Sequence, residues 1–353
     1  MLQPIVCRLP PFRALASMSF NQSQAHRDRR RALARVAQQT ISMTPTVMAD
    51  LPHLDATSSE RLALETLPPL DPAACPQFAL PIDPATTPRP ARGTPIRVFN
   101  QDSFDAAIAM RTHISRTATS SDAAAAVTAR LLDDLTATAL KPDNISPTPA
   151  TRVAVLNMAS EKNPGGGWLN GSAAQEEALC FRSTLAASLH RRWYPIPARS
   201  GLYTPDVVVF KQGMGAKHAL MPVPSSELPV TSVLSVAGLR RPQVRRGEGG
   251  RLVLAAAGAR DLAKDKMRLC LRMAAARGHV LLVLGALGCG AFQNPPQEIA
   301  ECWMEVLSEN EFAGGWFKEI WFAVYDPRVD VNFGIFRDVF DGKTIGKMEV
   351  EVK

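Results

Sequence analysis

The chain is poor in the features that mark several protein classes. Its longest apolar run, Val280–Phe292, spans 13 residues and includes three glycines, well short of the roughly 20 apolar residues that a membrane-spanning helix needs. The six cysteines, Cys7, Cys75, Cys180, Cys270, Cys289 and Cys302, show no CxxC spacing, and the six histidines are scattered. Neither a disulfide framework nor a zinc site is expected, and dispersed thiols suit an intracellular protein. No GxxxxGK[ST] occurs, which disfavours a P-loop NTPase. Aromatic residues make up only 6% of the chain, so stacking on a base or sugar falls to few candidates, chiefly Phe292, while Trp168 is placed to close over the glycine loop that precedes it. The first 27 residues lack Asp and Glu. That composition allows a transit peptide, although Pro4, Pro10 and Pro11 oppose a clean amphipathic helix and Met18 is an alternative start.

Positive charge is what the chain has in excess, with a net +7 over 353 residues and a pI near 9.3. A basic balance favours anionic partners such as phosphates, nucleic acid or an acidic polymer. Much of it sits in two clusters, Arg27–Arg35 and Arg240–Arg251. The bland reading of either cluster is a solvated surface.

Residues 1–92 read as irregular apart from a helix over Arg29–Gln39, and Leu51–Arg92 as a Pro- and Ala-rich arm. From about Thr94, short β-branched runs recur at Ile96–Phe99, Val153–Leu156, Val207–Phe210, Val233–Val236, Val280–Leu284 and Ile320–Val324. Helical patterns lie between them at Ser103–Met110, Asp122–Leu140, Ala173–Arg191, Asp261–Arg277 and Pro296–Glu309. This alternation predicts an α/β fold with a mostly parallel or mixed sheet covered on both faces. In such folds ligands bind beyond the carboxyl ends of the strands. Two glycine-rich loops fall there: Asn163–Gly171, carrying Gly165, Gly166 and Gly167, and Gly285–Phe292, carrying Gly288, Cys289, Gly290, Ala291 and Phe292. The second runs GxxGxG and not in the dinucleotide order GxGxxG. Exposed N–H groups in such loops bind phosphate oxygens, so two of them can clamp a pyrophosphate; plain turns are the alternative.

Ser172-Ala173-Ala174-Gln175 fits a capping box with Ser172 at the N-cap. On the helix that would follow, Ala178, Phe181, Leu185 and Leu189 form the buried stripe. Glu177 then borders the stripe and Glu176 points to roughly the opposite side, so one acid, Glu177, faces a cleft. A helix N-terminus favours its carboxylate, whereas a general acid needs a raised pKa, so an upward push from desolvation or a nearby anion is required.

Taken together, Gly165–Gly167, a seven-residue spacer and Gln175-Glu176-Glu177 resemble the signature of the microbial-type poly(ADP-ribose) glycohydrolases, a branch of the macrodomain fold. Val155–Ser160, Leu284–Phe292 with Asn294-Pro295-Pro296, Phe322–Asp326 and, more weakly, Val98–Ser103 resemble that family as well; the likeness spans roughly Arg29–Phe340. It implies a macrodomain-like three-layer α/β/α fold with a mixed central sheet and an N-terminal helical extension. The corresponding division is residues 1–28 as a disordered or targeting extension, 29–93 as a helical or irregular arm, 94–342 as the catalytic domain and 343–353 as a tail. It also implies hydrolysis of the ribose–ribose bond of poly(ADP-ribose) to release ADP-ribose. By this likeness Glu177 protonates the departing oxygen and then activates water, and Glu176 holds ribose hydroxyls. Gln175 contributes to the substrate site, the two glycine loops bind the pyrophosphate, Phe292 orders the terminal ribose, and Asn157 or Asn163 binds a ribose. No metal or cofactor is expected. Poly(ADP-ribose) and ADP-ribosylated proteins are the expected partners, with no membrane and no required nucleic acid. A monomer in cytoplasm or nucleus is expected, the mitochondrion being the other location. The competing readings are an ADP-ribose reader that does not cut, a hydrolase of single ADP-ribose units on proteins, and a generic nucleotide-binding domain that would leave Gln175–Glu177 unexplained.

Overall fold

The computed structural model describes residues 12–78, 93–119, 151–327 and 331–346, with the backbone alone for 12–23 and 116–119. A strand stands at each of the six predicted places within a sheet of eight, although the predicted Val207–Phe210 overlaps only the end of its strand. The six are β2 (Thr94–Phe99), β3 (Val153–Met158), β4 (Ser200–Val208), β5 (Val230–Val236), β8 (Leu281–Leu284) and β9 (Glu319–Ala323). β1 (Glu60–Ala63) and β10 (Thr344–Ile345) close the two edges, giving the order β1-β4-β5-β3-β8-β9-β2-β10. The five inner strands from β5 to β2 run parallel; β1 and β4 at one end and β10 at the other are antiparallel. A separate hairpin, β6 (Val244–Arg246) with β7 (Leu252–Leu254), stands off the sheet.

The near-continuous apolar strands serve two cores, one per face. Along β3, Val153 and Val155 enter one core, while Ala154 and Leu156 enter the other. Such two-sided burial is what all-apolar strands require. On one face lie α5 (Ala259–Ala276), α6 (Pro296–Leu307) and α7 (Asn332–Phe340), contributing Met267, Leu271, Trp303, Phe336 and Phe340. On the other lie α1 (Phe12–Asp50), α2 (Ser103–Thr119), α3 (Gln175–Arg182) and the single turn α4 (Leu185–Ser188), contributing Leu33, Phe104, Met110, Phe181 and Leu185. This is a three-layer α/β/α arrangement with a mixed sheet and an N-terminal helix, as expected.

Several boundaries differ from the sequence pattern. α1 is much longer than Arg29–Gln39 and begins inside the stretch read as an extension. Its buried Leu33 and Ala37 pack into the core with α3. The Leu51–Arg92 arm supplies edge strand β1 and two core leucines, Leu64 and Leu67. The expected tail contributes β10. The predicted Ala173–Arg191 helix breaks after Arg182 because the backbone there pairs with the end of β4: Phe210 N–H donates to Arg182 O, and Thr184 N–H donates to Val208 O. The Asp122–Leu140 helix lies outside the described residues.

Candidate active site

The loops after all five parallel strands line one cavity of about 1270 Å³, larger than the roughly 300–1,000 Å³ typical of small-ligand pockets. Asn100 and Asp102 come from the β2 end, Ser160 and Asn163 from β3, Gly238 from β5, Ala286 and Phe292 from β8, and Val324 and Tyr325 from β9.

At the cavity floor, Gly166 takes φ +61°, and a Cβ there would stand 2.5 Å from Glu177 Oε1 and 2.9 Å from Glu176 Oε2. Only glycine fits, and both carboxyl groups meet against its backbone. This corrects the expectation that Glu176 points away. Glu176 and Glu177 are both buried, at 3% and 7% exposure. The helix begins at Gln175, not at Ala173, which brings both acids into its first turn. Ser172 is drawn instead into the glycine loop, its N–H donating to Gly167 O. Half of a capping box forms two residues later than predicted: Glu177 at N3 accepts from the Ala174 N–H at 3.0 Å, while Ala174 has no side-chain acceptor with which to reciprocate.

The two acids have different surroundings. Glu177 Oε1 accepts from the Gly167 N–H at 2.8 Å, so each of its oxygens holds a backbone donor. Glu176 Oε2 accepts from the Ser160 N–H at 2.7 Å, whereas its buried Oε1 has no partner in hydrogen-bonding geometry among the described residues. Burial, assisted by the neighbouring Glu177 charge, pushes the Glu176 carboxyl up to about 8. Glu176 therefore carries a proton at neutral pH. The upward push by desolvation that the sequence called for is found at Glu176.

Gln175 lines the cavity and also ties elements together. Its Oε1 accepts from the Met158 N–H at 2.8 Å, and its Nε2 donates to Leu156 O at 2.7 Å and Ser103 Oγ at 3.0 Å. It fastens the start of α3 to the end of β3 and the start of α2. At the far end of α3, fully buried Arg182 pairs with Asp102 and, at 2.6 Å, with Asp105. Asp102 also accepts the Phe104 N–H at the start of α2. This cluster escaped the sequence reading, because residues 80 apart are joined only by the fold.

In the second loop, Gly288 takes φ +76° and approaches Asn294, whose Nδ2 donates to Gly288 O and to Leu239 O. Gly290 and Ala291 are exposed, and Phe292 lines the cavity. Cys289 was a candidate contact, yet its side chain is buried in the core under the loop. Gly165 and Asn157 do not line the cavity, whereas Gly166, Gly167 and Asn163 do. Gly165 lies against the Trp168 ring, which is buried beside Phe181 instead of closing over the loop. Asn157 is wholly buried beneath the site, with Nδ2 donating to Ser235 Oγ. Exposed Tyr325 lines the cavity; its place just past a parallel strand was the available signal. Among the described residues no three His, Cys, Asp or Glu come together to hold a metal ion, and no helix is long and apolar enough to cross a membrane.

A three-layer fold with two glycine loops and a helix N-terminus converging at the carboxyl ends of parallel strands defines the macrodomain class. Residues 21–212 match the family model for the catalytic domain of microbial-type PARG, and the chain belongs to that family, the microbial-type poly(ADP-ribose) glycohydrolases. No curated protein matches the sequence. Among solved structures, the poly(ADP-ribose) glycohydrolase of Thermomonospora curvata bound to the inhibitor ADP-HPD is 23% identical with a TM-score of 0.60, the match covering 88% of this chain and 100% of that one. The Deinococcus radiodurans enzyme in complex with ADP-ribose is 26% identical with a TM-score of 0.50, covering 70% and 84%. The first likeness shows the shared fold at low identity, and the family match carries the activity: the chain is a poly(ADP-ribose) glycohydrolase.

Proposed function

We propose that the chain cuts the ribose–ribose bond of poly(ADP-ribose) with Glu177 as its acid–base residue and Glu176 as the neighbouring carboxyl that holds the ribose hydroxyls and, before the reaction, the pair's proton. The observation that carries this reading is the meeting of both acids against Gly166 on the cavity floor. Two carboxyls this close favour a proton on one of them, and a bound diphosphate favours it further. The pair's one proton passes from Glu176 to Glu177, and from Glu177 to the departing ribose oxygen as the anomeric carbon gains oxocarbenium character. As a carboxylate it then takes a proton from the attacking water. Backbone N–H groups at Gly290–Phe292 receive the pyrophosphate, beside the backbone of Gly166, whose own N–H is held by Asn163 O. Phe292 orders the terminal ribose, and of the two candidate asparagines Asn163, which lines the cavity, is the one for a ribose contact. Polymer-bearing proteins are the natural substrates of a monomeric enzyme. The five cysteines among the described residues are buried free thiols, which favours a reducing compartment inside the cell.

Incubation with poly(ADP-ribosyl)ated protein is expected to release free ADP-ribose. Glu177→Gln should lower turnover by about 10²–10⁴-fold and leave ADP-ribose affinity within a few-fold. Undiminished turnover in that variant would remove Glu177 from the role; binding without any turnover in the wild type would make the protein a reader.

A further inference from the structure

One of the two basic clusters lies at the mouth of the cavity. Leu33 on α1 lines the cavity wall. Arg29 and Arg30 precede it by four and three residues, so the three share a helix face. Arg30 Nε donates to Asn170 O at 3.0 Å, and Arg29 lies 3.3 Å from Met214 Sδ; Asn170 and Met214 also line the cavity. Arg27, Arg29, Arg30, Arg31 and Arg35 are all exposed, with Asp28 the one acid among them. Among the described residues Arg29 and Arg30 pair with no carboxylate, and Arg31 faces Asp28 only at 3.8 Å, both groups being well exposed. The second cluster differs. Arg240 pairs with Glu161 and Arg251 with Glu301, and Arg246 donates to Gly250 O.

We propose that the arginine-rich stretch of α1, Arg29 and Arg30 at the mouth with Arg27 and Arg31 on the adjoining sides of the helix, holds the stretch of polymer outside the cavity through the phosphates of ADP-ribose units beyond the one being cut. The inference rests on the proposed substrate. Each unit of that polymer carries a pyrophosphate, and guanidinium groups grip phosphate oxygens in a bidentate fashion. A polyanion held at the mouth raises the local concentration of cleavable ends and does so in a salt-dependent way. A free ADP-ribose molecule seated in the cavity has no such outer phosphates and gains nothing from this face.

The test compares hydrolysis of long polymer and of a two-unit fragment by the full-length protein, between about 50 and 200 mM salt. The enzymes are the wild type, Arg29→Gln/Arg30→Gln/Arg31→Gln, and a control, Arg245→Gln/Arg246→Gln/Arg251→Gln, that removes as many charges from the hairpin. The α1 variant should keep kcat and ADP-ribose affinity and raise KM for long polymer about tenfold at the lower salt. It should flatten the slope of log KM against log salt by about 2, at roughly 0.7 per phosphate contact on a single strand. The double variant Arg27→Gln/Arg31→Gln, which touches no other element, should shift KM the same way and guards against a folding effect of Arg30. An unchanged KM and slope in both α1 variants overturns the proposal, and so does an equal loss in the hairpin control. Tighter α1-dependent binding of a single-stranded RNA with the same number of phosphates than of the polymer also overturns it, in favour of a nucleic acid. Failure of the wild type to bind ADP-ribose or to cut either substrate refutes the substrate reading itself, a result distinct from all of these.

Discussion

Glu176 is buried with one oxygen lacking a partner in hydrogen-bonding geometry among the described residues, and it keeps its proton to about pH 8 where an unfolded chain releases it near 4.5. Between those values the folded state binds more protons than the unfolded one, so stability falls as pH rises through the window. The whole shift is worth on the order of 3–5 kcal/mol. Glu176→Gln replaces the acid with a neutral group of the same shape and should remove this dependence. Denaturant unfolding at pH 5 and pH 8.5 should show the wild type losing several kcal/mol and the variant little; equal losses in both would place the proton elsewhere. The sequence carried the pair of acids and the glycines around them. It did not carry which acid is desolvated, because that depends on where the helix starts and on which N–H groups its first turn meets.

At the scale of the element, α3 is only eight residues long, and its position rests on what fastens its ends. Gln175 at the start satisfies the Met158 N–H and Leu156 O beyond its own helix; Arg182 at the end gathers Asp102, Asp105 and Lys211 O. Removing the amide leaves buried backbone groups without partners, each costing about 1–3 kcal/mol. Gln175→Ala should therefore destabilise the protein by about 2–4 kcal/mol in urea unfolding and depress turnover as the two carboxyls lose their register. A loss below about 0.5 kcal/mol would show that the tie carries no load. The family signature names Gln175 alongside the two acids, and a reading by analogy gives it a substrate contact. The structure shows three hydrogen bonds between its amide and the scaffold, at a place on the cavity lining. Propensity and amphipathic spacing extended the helix to Arg191; strand pairing at Ser183–Val209 ended it at Arg182, a tertiary interaction that local pattern cannot register.

Over the whole molecule, the N-terminal helix belongs to the body of the fold. Its Arg30 carbonyl fills the space beside Gly171, where a Cβ would stand 2.0 Å away and φ is +70°. Buried Lys211 donates to Val36 O, Gln39 Oε1 and Thr40 Oγ1 further along the helix. Gly171→Ala meets both a left-handed backbone, costing about 1–2 kcal/mol, and the α1 backbone itself. It should lower the melting temperature and speed amide hydrogen exchange in residues 24–50, with slow exchange retained in β3 and β8. Unchanged exchange in α1 would mean that the helix docks independently of this turn.

Sequence alone determined the order of strands and helices, the two-sided burial of the inner strands, the glycine loops and the acids, because these follow from local patterning and from residue types with few substitutes. Only the tertiary structure decided the sheet order, the edge strands drawn from the arm and the tail, and the placing of Glu176 beside Glu177 against Gly166. The sheet order and edges depend on contacts between residues far apart in the chain, and the carboxyl pair on where packing makes α3 begin. Patterning within a window is blind to both.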